Sequence, residues 1–158
     1  MNPNADPALD PAKVSALLAE TISEVFADMA FLDAVPLPPG DSSPLDESSM
    51  ECISLDVLKP VSIRIELRFS TKLKKLVNDN LFSGEETAEG DDSLLEILNI
   101  CAGNFLIRYY GENTEPKLEL PEYLFFDDAK GDDFIAQVHL LVEGEPLEAG
   151  VRSMRYRY

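Results

Sequence analysis

Asp92, Glu96, Asn99 and Gly103 recur at intervals of four, three and four residues in the stretch DDSLLEILNICAGNF. On an α-helix turning ~100° per residue, these four fall within about 60° of one another. Leu94, Leu95, Ile97, Leu98, Ile100, Cys101, Phe105 and Leu106 take most of the remaining circumference. Such a helix is largely buried and exposes one narrow polar ridge. Glu96 and Asn99, at i and i+3, are neighbours on that ridge. Asparagine inside a helix is less favourable than alanine by about half a kcal/mol, and glycine by about 1 kcal/mol. Two unfavourable choices on one face point to a task for that face, and Gly103 would let another surface approach closely.

Glu96 has a second reading. Ser93-Leu94-Leu95-Glu96 is a capping-box sequence, in which the glutamate reaches back to a backbone N–H at the helix start. Both readings stand at the level of sequence. Other chemistries find no support. The chain has no phosphate-cradling glycine loop, no CxxC pair and no HExxH, and the acidic stretch Gly84–Asp92 lacks calcium-loop spacing. His139 is the only histidine, on an apolar strand pattern, and reads as structural. No metal site is expected.

The elements that must carry the ridge follow from hydrophobic period. Asp10-Pro11 is a helix start, and Val14, Leu17, Leu18, Ile22, Val25, Phe26 and Met29 then recur every three or four residues, predicting a helix to about Asp33. Residues 1–9 read as a flexible lead-in. Residues 34–48, with Pro36, Pro38, Pro39, Gly40 and Pro44, read as a proline-rich exposed loop. Ile53, Leu55, Val57 and then Val61, Ile63, Ile65, Leu67, Phe69 alternate with polar residues around Lys59-Pro60. That pattern predicts an antiparallel hairpin whose Arg64–Glu66–Arg68 row faces solvent. Ser70 or Thr71 caps a short helix with Leu73, Leu76, Val77 and Leu81 on one side. The ridge helix runs from about Asp92 to Tyr109 and stops at Gly111. Lys117–Leu120, Phe134–Val142 and Leu147–Tyr158 read as strands, the last two joined by a turn at Gly144-Glu145-Pro146. Blocks of helices and strands, without βαβ alternation, predict a single α+β domain over residues 1–158, its helices packed on an antiparallel sheet.

Thirty acidic residues against thirteen basic ones give a net charge of -17. That charge repels phosphate backbones and anionic membranes, so neither nucleic acid nor membrane is an expected partner, and a basic partner surface is. The start MNPNADPALDP has neither the basic nor the apolar region of an export signal, and cytoplasmic residence is expected. Cys52 and Cys101 are then read as small buried hydrophobes.

The series Asp92-xxx-Glu96-xx-Asn99-xxx-Gly103-Asn104 resembles the signature helix of the CheC/CheX family of chemotaxis phosphatases. Chain length, the opening amphipathic helix, the hairpin before the signature and the closing strands resemble its single-domain CheX branch. The resemblance implies hydrolysis of the aspartyl phosphate of a CheY-like response regulator. Asn99 would hold the attacking water, Glu96 would engage the regulator's lysine, and Asp92 and Gly103 would contact the partner. It implies no cofactor of the chain's own, a divalent metal (Mg) on the partner, and a homodimer. The closing strand, with Met154, Tyr156 and Tyr158 on one side and Ser153, Arg155 and Arg157 on the other, reads either as an edge strand guarded by its arginines or as the expected dimer interface. The alternative is a non-catalytic signalling module that binds a response regulator through the same ridge. No second ridge is expected: the first helix offers Glu20-xx-Ser23 and Glu24-xx-Ala27, without an asparagine.

Overall fold

In the computed structural model, residues 9–38, 50–82, 93–124 and 134–154 are described, with residues 81 and 82 by backbone alone. The helix α1, Pro11–Ala30, begins as its sequence dictates: Asp10 accepts from the Ala12 N–H at 3.1 Å, and proline occupies the first helical position. It stops three residues before Asp33. Phe31 adopts a left-handed conformation (φ 56°), and the Leu32 N–H returns to the Phe26 carbonyl at 3.2 Å.

The chain then makes a short strand, β1 (Ala34–Pro36), at the start of the stretch expected to be loop. Its partner comes from the far end of the sequence, with Val35 opposite Leu141. Proline is tolerated because β1 is an edge strand, where its missing N–H is not needed by the ladder. Residues 39–49 of the expected loop lie outside the described residues.

Strands β2 (Met50–Lys59) and β3 (Ile63–Ser70) form the expected hairpin, with Val57 opposite Ile63 around a cis Lys59–Pro60 bond. Ser70 Oγ accepts from the Leu73 N–H at 3.1 Å and starts α2 (Thr71–Phe82). Then come α3 (Ser93–Tyr110), β4 (Lys117–Leu118) and β5 (Glu122–Leu124). The last two strands are β6 (Phe134–Val142) and β7 (Glu145–Ser153). The tight turn between them is Glu143-Gly144, one residue earlier than expected. Both residues have positive φ (49° and 82°), as a two-residue hairpin turn requires to match strand twist.

Among the described residues the sheet has seven antiparallel strands in the order β1-β6-β7-β3-β2-β4, with β5 also pairing β2. Ile53, Leu55, Val57, Ile63, Ile65, Leu67, Phe69, Leu140, Leu147 and Val151 point from one face into a core shared with all three helices. The architecture is therefore α+β, helices on an antiparallel sheet.

Two expectations change. The opposite face of the hairpin is not wet along its length: Ser54, Asp56 and Glu66 are buried. The terminal strand is not an edge, because β7 pairs with β3 on one side and β6 on the other. These corrections share a cause. By pairing with β3, β7 brings Arg152 onto the Glu66 row, and Phe134 packs over Gly150 and the Arg152 guanidinium, 3.7 Å from ring centroid to Cζ. Residues 155–158, expected at a dimer interface, lie outside the described residues.

Candidate functional site

The ridge sits on α3, whose orientation is set by α1. Arg108, near the C-terminal end of α3, pairs with Glu24, lies 3.8 Å from Glu20 and donates to Thr21 Oγ1 at 3.3 Å. At the next residue, Tyr109, the Asp10 N–H donates to Oη at 3.0 Å, and Lys13 lies 4.5 Å from the centre of the ring. The end of α3 is thus tied to α1 along much of that helix, from Asp10 to Glu24. Leu94, Ile97, Leu98, Cys101, Ala102, Phe105 and Leu106 are buried. With that face down, Glu96 and Asn104 are exposed, and Asn99 and Gly103 are half-buried.

Glu96, Asn99 and Gly103 are therefore brought together on one accessible stripe. Asp92 lies outside the described residues. Among the described residues, neither the Glu96 nor the Asn99 side chain has a hydrogen-bond or ion-pair partner. An added Cβ at Gly103 would meet nothing within 4 Å among the described residues, so their packing does not call for a glycine there.

The capping-box reading of Glu96 loses ground here. Ser93 is the first residue of α3, so Glu96 falls one position beyond the third helical residue that a capping box uses. Ser93 Oγ is buried with no hydrogen-bond partner among the described residues, so it does not make its half of the box.

The stripe also contains a residue that pattern reading assigned to neither face. Ile107 continues the line one turn beyond Gly103 and is 37% exposed, while Ile100 is only partly buried. Its exposure follows from helical spacing, since Glu96, Ile100, Gly103 and Ile107 are separated by four, three and four residues.

α1 offers no rival ridge. Its Glu20 and Glu24 are engaged by Arg108, and Ser23 Oγ donates to the Ala34 carbonyl at 2.9 Å. His139 stands opposite Glu148 in the β6–β7 ladder, with Nδ1 3.5 Å from Oε1 and no hydrogen-bond partner among the described residues. It borders a groove of about 470 Å³ with Ala12, Ser15, Ala16 and Pro38, which includes no α3 residue. A ridge that meets a protein surface needs no such cavity. No group of three metal-ligating side chains occurs among the described residues, and no described helix is long and apolar enough to cross a membrane. Cys52 and Cys101 are free and buried.

No protein-family model matches the sequence, and no curated protein does. Solved structures do match. The chemotaxis protein CheX of Desulfovibrio desulfuricans aligns over 88% of this chain and 97% of its own, with TM-score 0.66 and 10% identity. CheX of Borrelia burgdorferi, solved as a CheX–CheY–BeF3–Mg complex, aligns over 90% and 97%, with TM-score 0.65 and 18% identity. The middle domain of FliM from Vibrio alginolyticus aligns over 89% and 90%, with TM-score 0.55 and 12% identity. The chain has the fold of the CheC- and CheX-like chemotaxis proteins, as the signature helix implied. Within that class it matches CheX structures over nearly their whole length.

Proposed function

We propose that the protein hydrolyses the aspartyl phosphate of a CheY-like response regulator. What supports this most is the pair Glu96 and Asn99, side by side on an accessible ridge of a CheX-like fold. Water attacks phosphorus in line with the acyl oxygen; a P–O bond to water forms, the bond to the aspartyl oxygen breaks, and the carboxylate and inorganic phosphate leave. Asn99 holds that water. Its amide is neutral, so it can approach the phosphoryl oxygens without repulsion, and positioning is the main contribution a protein makes to phosphoryl transfer. Glu96 could not sit as close without an intervening cation, and the regulator's lysine supplies one. The partner's acyl phosphate carries the divalent metal (Mg), so this chain's residues act by orienting water and docking.

A binding module that uses the same ridge without turnover is the second reading, since fold alone does not settle activity and FliM shares it. Phosphate release from a phosphorylated CheY-type receiver domain, with and without this protein, separates the two. Acceleration supports the phosphatase; tight binding without acceleration supports the module. On the same resemblance we expect a homodimer. Because β7 is interior, an interface that joins sheets would use an outer strand, and light scattering across a dilution series would reveal a monomer if that expectation is wrong.

A further inference from the structure

We propose that the docking surface is bipartite: beyond the Glu96–Asn99 pair, Gly103 and Ile107 form a shallow apolar seat for a side chain of the same regulator. This rests on the reading of the ridge as a response-regulator site, and it adds a determinant of partner recognition that the hydrolytic step does not use. Three observations carry it. Ile107 is exposed, at 37%, on a helix whose other large apolar positions are buried or half-buried. Gly103, one turn before it, faces open space: an added Cβ would touch nothing within 4 Å, so no contact among the described residues calls for a glycine there. The line Glu96, Ile100, Gly103, Ile107 stays within about 60° of arc, so one surface laid along the helix meets all four.

Charge selects the occupant. Arg108, the only basic residue of α3, is drawn to Glu20 and Glu24 on α1, while Glu96 has no cation among the described residues. The ridge therefore presents a negative end and an apolar end, separated by eleven residues of helix or ~16 Å along its axis. Its partner must present a cation and an apolar side chain at that spacing. A response regulator engaged through its active-site lysine would reach the seat with a surface residue well removed from the phosphate. The negative end serves chemistry and the apolar end serves affinity. Loss of the apolar end should thus change KM and spare kcat, as expected of binding realised equally in ground and transition states.

The test uses the full chain and a CheY-type receiver domain phosphorylated with phosphoramidate, following phosphate release at varied receiver concentration. Ile107→Asp and Gly103→Leu should each raise KM about tenfold or more, with kcat within about twofold of wild type, the scale of one apolar side chain left unburied. Ile107→Leu should restore a wild-type KM, and unchanged helical circular dichroism would show that each variant is folded. Unchanged KM in both disruptive variants, with normal wild-type turnover, would overturn the apolar seat and leave the catalytic reading standing. Absence of turnover in the wild-type chain would overturn the catalytic reading itself, and the seat with it.

Discussion

Arg152 donates from Nε to Glu66 Oε1 at 2.9 Å, across the diagonal of the β3–β7 ladder, with both side chains buried. The other carboxylate oxygen of Glu66 has no hydrogen-bond partner among the described residues. Burial raises the Glu66 carboxyl above its ordinary value, against the opposing pull of Arg152, Arg68 and Arg64. A raised folded pKa favours the fold below the ordinary carboxylate range, and that contribution is lost as pH rises through the elevated value. The stability of wild type relative to Glu66→Gln should therefore improve as pH falls from 7 to 4. Denaturant midpoints of the two proteins across that range would show it; a gap that is flat or widens the other way contradicts it. Arg152→Met, which strands the buried carboxylate, should cost about 3 kcal/mol.

The thiols give a simpler test. Burial pushes Cys101 up to about 12, and burial with the nearby Glu66 does the same for Cys52. Only a thiolate reacts readily, so a chromogenic disulfide reagent at pH 8 should find no thiol in the native protein. It should find two after denaturation, matching the two cysteines of the sequence. Rapid native labelling would mean that one of these sites opens.

Gly103→Ala should stabilise the protein by about 1 kcal/mol, because the helix gains propensity and the new methyl meets nothing within 4 Å. Thermal melting would register this as a higher midpoint. A lower one would mean that the glycine serves internal packing after all.

Glu96→Gln separates docking from capping. Glutamine serves a capping box as well as glutamate, so a capping role predicts silence in both melting and turnover. A lysine contact predicts an unchanged melting temperature and turnover reduced by about tenfold, the loss of one charge-assisted contact. Equal activity in mutant and wild type would remove Glu96 from the docking surface.

The sequence revealed the parts of this molecule whose partners lie nearby or whose period is strong. Asp10 and Pro11 marked the start of α1, Gly111 the end of α3, and the alternation from Ile53 to Phe69 the central hairpin. It concealed what depended on distant pairing. β1 has three residues, one of them a proline, and is a strand only because β6 runs beside it. β5 is three residues long and rests on β2. Alternation told which residues of β3 share a face, and could not tell that Arg152 and Phe134 would close over Glu66. For the proposed site, residue types and spacing predicted that Glu96, Asn99 and Gly103 share one accessible stripe, and α3 places them so. The exposure of Ile107 was not legible, because an isoleucine carries no such signal until the buried face of its helix is known.

The claim that Asn99 places the attacking water is tested most directly by Asn99→Ala. The side chain is half-buried on the ridge and has no hydrogen-bond partner among the described residues, so the variant should fold and melt at or slightly above the wild-type temperature. Phosphate release from a phosphorylated CheY-type receiver should fall by on the order of 10²-fold or more, the scale of a mispositioned catalytic group. Binding of the phosphorylated receiver should persist, since Glu96 remains. Wild-type turnover in Asn99→Ala would contradict the account.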